Sequence, residues 1–167
     1  GIRDVVVVLG ADAAAIEDAV AWRRERRIVN PSPEEGLGSS LRLGVSAVAA
    51  LDDPLGGPLD AVLVALGDQP RVRSGVISSL LDAGFEAERG GGFGKPQPVI
   101  VPRYANDATR NPVLVRRAAW ALFDEVSGDR GLGPLLEARP ELVREVRVVG
   151  ENPDVDTPDD LARLERR

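Results

Sequence analysis

The side chains able to do chemistry in this chain are carboxylates, arginines and hydroxyls. Its 167 residues include no Cys and no His. That excludes disulfides, thiolate nucleophiles, thiolate or imidazole metal sites and the Ser-His-Asp triad. The remaining oxygen donors suit hard cations, Mg2+ or Mn2+. Three carboxylates stand where such a cation could be used. Asp68 follows an apolar run in VLVALGDQPRV (62–72), and ligands of open α/β sheets collect beyond the carboxyl ends of strands. An Asp just past a strand also serves as a helix cap, and on this segment alone both readings stand. Asp154 and Asp156 are two apart in ENPDVDTPDDL (151–161). In an extended chain both face one side, a negative pair that a cation would relieve. Their neighbours Thr157, Pro158 and Asp160 have a full structural explanation as N-cap, N1 proline and capping box.

Two glycine-rich segments invite a ligand. EGLGSSLRLG (35–44) lets backbone approach a bound group and leads into a helix whose free N–H groups favour anions. It lacks the third glycine of a dinucleotide fingerprint, where Leu41 stands, so it reads equally as a helix start or a ligand loop. SGDRGLG (127–133) places Asp129 and Arg130 in a glycine-flanked turn, open to a capping role or a binding one. RGGGFGKPQ (89–97) fails as a phosphate loop, because its spacing is wrong, Pro96 follows Lys95, and it comes after a helix; it reads as a connector. RRERR (23–27) reads as a cationic helix end that complements the dipole.

These residues need a scaffold, and the pattern of the chain supplies one. Strands are expected at 4–10, 26–30, 60–66, 97–102 and 142–150, with 111–117 a short extended piece. Helices are expected at 13–24 with Asp12 as N-cap, from Ser39 or Ser40 to 51, and at 74–88, 118–125, 132–138 and 157–167. DDPLGGP (52–58) is a turn cluster. The strand at 62–66 does not alternate, which reads as an interior parallel strand covered on both faces. Alternating apolar strands and helices predict a doubly wound, mostly parallel α/β sheet with helices on both faces. The length fits one domain over 1–167. A net charge of −6 argues against a nucleic-acid partner. No run is long and apolar enough to span a membrane, and no signal peptide is visible, so a cytoplasmic location is expected.

Taken in order, EGLGSSLRLG, LVALGDQPRV, PRYANDATRNPVLV (102–115), SGDRGLGPLL (127–136) and DVDTPDDL (154–161) resemble the MobA-like nucleotidyltransferases, closest to the molybdenum-cofactor cytidylyltransferases. The resemblance runs through nearly the whole chain. It implies a Rossmann-like, GT-A-like fold that transfers a nucleoside monophosphate from an NTP, CTP favoured and GTP the alternative, to a phosphorylated pterin-type acceptor. It implies Mg2+ or Mn2+ at Asp68, Asp154 and Asp156, with Asp68 and Asp156 also catalytic. It places Gly36, Gly38, Ser39 and Ser40 by the base and ribose, and Arg110, Asn111, Pro112, Asp129 and Arg130 by the acceptor. A molybdoenzyme is an implied partner. The family's opening strand and signature, resembling LAAGxSxRMGxxK, are not among these residues. About 30 to 40 further residues before Gly1 are therefore expected, since an open sheet without its middle strand exposes unpaired edges. If no such residues exist, the alternative is a non-catalytic module that binds the cofactor for insertion.

Overall fold

The computed structural model describes Ile2 and residues 4–51, 59–86, 97–105 and 109–166. The turn cluster at 52–58 and nearly all of the connector at 89–97 lie outside the described residues. The chain divides into two compact units. The first comprises residues 1–62 and 117–140; the second comprises 63–116 and 141–167.

In the first unit β1 (Val6–Leu9) and β2 (Arg26–Val29) pair in parallel, Val6 opposite Arg26 and Leu9 opposite Val29. A parallel pair requires a crossover, and α1 (Ala13–Ala19) lies within it. Helix α2 (Leu37–Ala49) packs on β1 so closely that a Cβ at Gly44 would lie 3.1 Å from Val8. After Arg117 a 3-10 turn leads to the short helices α4 (Leu122–Glu125) and α5 (Gly133–Ala138). The buried apolar residues of this unit include Leu9, Leu122, Phe123, Val126, Leu132 and Leu136.

In the second unit β4 (Val99–Arg103) pairs in parallel with β6 (Val143–Arg147) and antiparallel with β5 (Val113–Arg116). The sheet runs β3-β5-β4-β6, and the boundary between the units falls within β3 (Ala61–Val64). Helix α3 (Ser74–Gly84) covers it through Val76 and Leu80. A Cβ at Gly84 would meet the Leu114 Cδ2 at 2.6 Å, so any larger residue there would force that buried side chain to move. Val99, Ile100, Val101, Val113, Leu114 and Val115 are buried. Their non-alternating apolar runs are those of strands covered on both faces. Helix α6 (Pro158–Glu165) ends the chain. Among the described residues no helix is long and apolar enough to cross a membrane.

The mixed α/β architecture with parallel pairs is the one expected, and four local expectations are corrected. Helix α1 stops at Ala19 rather than near residue 24, because Val20 is extended. RRERR is therefore not a helix end: Arg26 and Arg27 belong to β2, and Arg27 pairs with Glu17 at 3.0 Å and lies over Trp22. Helix α2 starts two residues before Ser39, with Gly36 at the N-cap and no side-chain cap. Strand β3 is half-buried and stands at the end of its sheet among the described residues, whereas the interior places go to β5 and β4.

Candidate functional site

Asp68 lies in the loop that follows β3, and Asp154 and Asp156 lie between β6 and α6. The two loops are joined by the Val155 N–H, which donates to the Asp68 carbonyl at 2.8 Å. The carboxylates on either side of Val155 are thereby brought to the loop that carries the third. All three residues are exposed. Among the described residues no group of three or more acidic side chains converges as a ready-made ligand set.

Beneath these carboxylates is a polar network that the sequence reading left out. Gln69 is 5 % exposed and Asn152 is 1 % exposed. Gln69 Nε2 donates to Asp154 Oδ1 at 2.6 Å and to Thr109 Oγ1 at 3.2 Å. Asn152 Nδ2 donates to Gln69 Oε1 at 3.0 Å and to the Asn111 carbonyl at 3.3 Å. Thr109 Oγ1 also accepts from the Asn111 N–H at 3.2 Å, and the Tyr104 hydroxyl donates to the Asn111 carbonyl at 3.3 Å. Asn152 Oδ1 is buried without a partner among the described residues. An unsatisfied amide oxygen costs about 1–3 kcal/mol, so an apolar residue would serve packing better there. The available signal in the sequence was an amide between Asp68 and Pro70, and another two residues before Asp154.

The turn these amides hold contains Arg110, Asn111 and Pro112, with a cis peptide bond between the last two. Arg110 is exposed and pairs with Glu145 at 3.4 Å; Arg103 reaches the same carboxylate at 3.5 Å. The two arginines, Thr109 and Glu145 line a cavity of about 340 Å³. Pro112 is fully buried, so it shapes the turn and offers no surface to a ligand. Asp154 lines a second cavity, of about 460 Å³, with Arg163 and Arg166 on its wall. Thr157 and Asp160 form the expected capping box at the start of α6. The Thr157 hydroxyl and backbone hold the Asp160 carboxyl below its ordinary value, with Arg163 adding to the effect.

The remaining candidates belong to the first unit. Gly36 has φ +84°, and a Cβ there would lie 2.3 Å from the Asp129 carboxylate and 2.7 Å from the Gly128 backbone. A Cβ at Gly38 would lie 3.0 Å from Ser127. The glycine segment and the 127–130 turn are thus packed together, with Asp129 and Arg130 both exposed. Ser39 is buried, and its hydroxyl donates to the Gly36 carbonyl at 2.8 Å. Asn30 Nδ2 donates to Ser39 Oγ at 2.8 Å and to Ser40 Oγ at 3.0 Å. Both hydroxyls therefore help to seat the start of α2. Asp129 and Arg130, expected beside the same ligand as Arg110 to Pro112, lie in the other unit from that turn.

A sequence profile described as the MobA-like NTP transferase domain matches residues 1–156. Nicotine blue oxidoreductase of Paenarthrobacter nicotinovorans is 30% identical over 175 residues, which cover 98% of this chain and 76% of that protein. The crystal structure of Rv0371c from Mycobacterium tuberculosis H37Rv is 27% identical with a TM-score of 0.77, covering 100% of this chain and 77% of that one. The same protein in complex with manganese is matched at 26% identity and a TM-score of 0.77, covering 100% and 80%. Molybdopterin-guanine dinucleotide biosynthesis protein A from Archaeoglobus fulgidus shares the fold, at 17% identity and a TM-score of 0.54 over 96% of this chain and 76% of that one.

Proposed function

This chain belongs to the MobA-like NTP transferase family, and from that premise we propose that it transfers a nucleoside monophosphate from an NTP to a phosphorylated acceptor. An acceptor phosphate oxygen attacks the α-phosphorus in line, the bond from that phosphorus to the bridging oxygen breaks, and pyrophosphate leaves. The acceptor is already an anion, so no general base has to take a proton, in keeping with a chain that has no His. Catalysis of this kind rests on positioning and charge.

The observation that supports this reading is the bond from Val155 N–H to the Asp68 carbonyl. It brings Asp68, Asp154 and Asp156 to one pair of loops. Exposed carboxylates from two adjoining loops fit a hard cation that takes one or two protein carboxylates and completes its shell with phosphate oxygens and water. Such an ion, Mg2+ or Mn2+, supplies neutralisation of triphosphate charge when bound. Rv0371c, a protein of similar fold, forms a complex with manganese, which supports a divalent cation. Gly36, Gly38, Ser39 and Ser40 are assigned to the base and ribose, with CTP preferred over GTP because small polar groups line that segment. Arg110 and Asn111 are assigned to the acceptor, a pterin phosphate, with Pro112 shaping the turn.

The test is pyrophosphate release from each of the four NTPs, with and without a pterin phosphate, in Mg2+ or Mn2+ and after chelation. Release that needs the metal and the pterin, and is fastest with CTP, is the expected result. Absence of release with every NTP would overturn the reading. The name of the Paenarthrobacter relative favours a second reading, as an oxidoreductase. With no Cys, no thiol can carry the electrons, so a nicotinamide or flavin would have to supply the hydride. Dye reduction by a reduced nicotinamide or flavin, without pyrophosphate release, would establish it. Pterin binding with neither activity would leave the accessory module.

A further inference from the structure

We propose that Gln69 and Asn152 are positioning residues that hold the Asp154 carboxylate ready for a divalent cation and tie it to the turn at 109–112. This rests on the reading that Asp68 and Asp154 are cation ligands. Neither amide is held out to water, since both are more than nine-tenths buried.

Their orientation is dictated from one end. An ionised carboxylate only accepts hydrogen bonds. Gln69 must therefore turn its Nε2 toward Asp154, as it does at 2.6 Å. That choice points Gln69 Oε1 at Asn152, which must answer with Nδ2, as it does at 3.0 Å. The same Nδ2 serves the Asn111 carbonyl, and Asn152 Oδ1 is left with no partner among the described residues. Rotating Gln69 would set its oxygen against the Asp154 carboxylate and donor against donor at Asn152, and rotating Asn152 would set its oxygen against Gln69 Oε1 and the Asn111 carbonyl. Donation thus starts at Asn152, which gives to the Asn111 carbonyl on one side and through Gln69 to Asp154 on the other, and it leaves the second oxygen of that carboxylate outside these bonds. Groups that orient a ligand from behind act on the ligand's affinity without touching the metal.

The probe is Mn2+ alone, its affinity for the protein measured by electron paramagnetic resonance of the free ion, without nucleotide. Gln69→Met keeps length and apolar volume and removes both donations. Its Mn2+ dissociation constant should rise roughly 10-fold, in the range found for partners of metal ligands. Asn152→Leu should give a rise of the same order. Because Gln69 acts through Asp154, adding Gln69→Met to Asp154→Asn should weaken binding no further. Wild-type Mn2+ affinity in folded Gln69→Met and Asn152→Leu would overturn the proposal, as would an equal loss with Asp154 already replaced. If either variant fails to fold, Thr109→Val reads the same relay from its far end. A few-fold loss of affinity supports the proposal and an unchanged value overturns it. Mn2+ affinity unchanged by both Asp68→Asn and Asp154→Asn would instead remove the underlying cation site, and the proposal with it.

Discussion

Asp68 separates two jobs that one residue often mixes. Its carbonyl is fixed by Val155 while its side chain is exposed. Asp68→Asn should therefore keep the fold, with an unchanged melting temperature in the absence of metal. If the proposed transfer is correct, its rate should fall by roughly 10² to 10⁴, about 3 to 5 kcal/mol of lost charge stabilisation. Steady-state pyrophosphate release and a thermal melt check both halves. Tyr104 makes a prediction in the opposite pH direction from the carboxylates. Burial raises its hydroxyl above the ordinary value of 10.0. A group whose pKa is raised by folding contributes fully below its unfolded value and loses that contribution as pH rises through the folded one. Stability should therefore fall above about pH 10, where the unfolded chain ionises first. Tyr104→Phe should cost about 0.5–1.5 kcal/mol at neutral pH, by loss of the bond to Asn111, and should flatten that alkaline fall. Denaturant titrations at a series of pH values measure both. The three aspartates could be singled out in the sequence because each stands in a loop after an apolar strand, among Pro and turn residues. Gln69, Thr109 and Asn152 were not, because a buried amide or hydroxyl has no periodicity and its partner is named only by the fold.

Elements differ in how far their own residues specify them. The capping box of Thr157 and Asp160 and the proline between them fix the start of α6 locally, and the structure has it there. Strand β4 was equally plain, since a short apolar run fits a covered sheet, whereas 111–117 read only as a short extended piece and is the strand β5 over Val113–Arg116. The end of α1 was missed because Arg and Glu continue a helix as readily as they leave one. What ends it is Val20 turning extended, and what keeps the following residues is tertiary: Trp22 Nε1 donates to the Glu17 carbonyl at 3.1 Å and Arg27 pairs with Glu17. The start of α2 was placed late because serine is a usual N-cap. Here glycine takes that position, since only a residue without a Cβ can hold φ +84° against Asp129 and Gly128. Gly36→Ala should therefore destabilise the protein by about 1–3 kcal/mol, the range for backbone strain of this kind. Gly75→Ala is the control: a Cβ there meets nothing within 4 Å, and the helical position favours alanine. Chemical denaturation of the two variants should move in opposite directions.

At the scale of the whole molecule, alternation of strand and helix was enough for the α/β class, while the division into two units was not visible. No linker announces it, because the chain changes unit inside β3, immediately after β5 and ahead of β6. Each unit is assembled from two stretches that are distant in sequence. The packing of Gly36 and Gly38 against residues 127–129 joins the two stretches of the first unit, and the pairing of β4 with β6 joins those of the second. Residues 1–62 expressed alone should accordingly show no cooperative melt, and addition of a peptide covering 117–140 should restore helical signal if that packing is what is missing. The same interleaving bears on how such a gene can change. A recombination event exchanges one uninterrupted span of codons, and no uninterrupted span here encodes a whole unit without carrying part of the other. Inheritance of the two units is therefore tied: changes in one and changes in the other must be tuned together by substitution, because neither unit can be traded as a cassette.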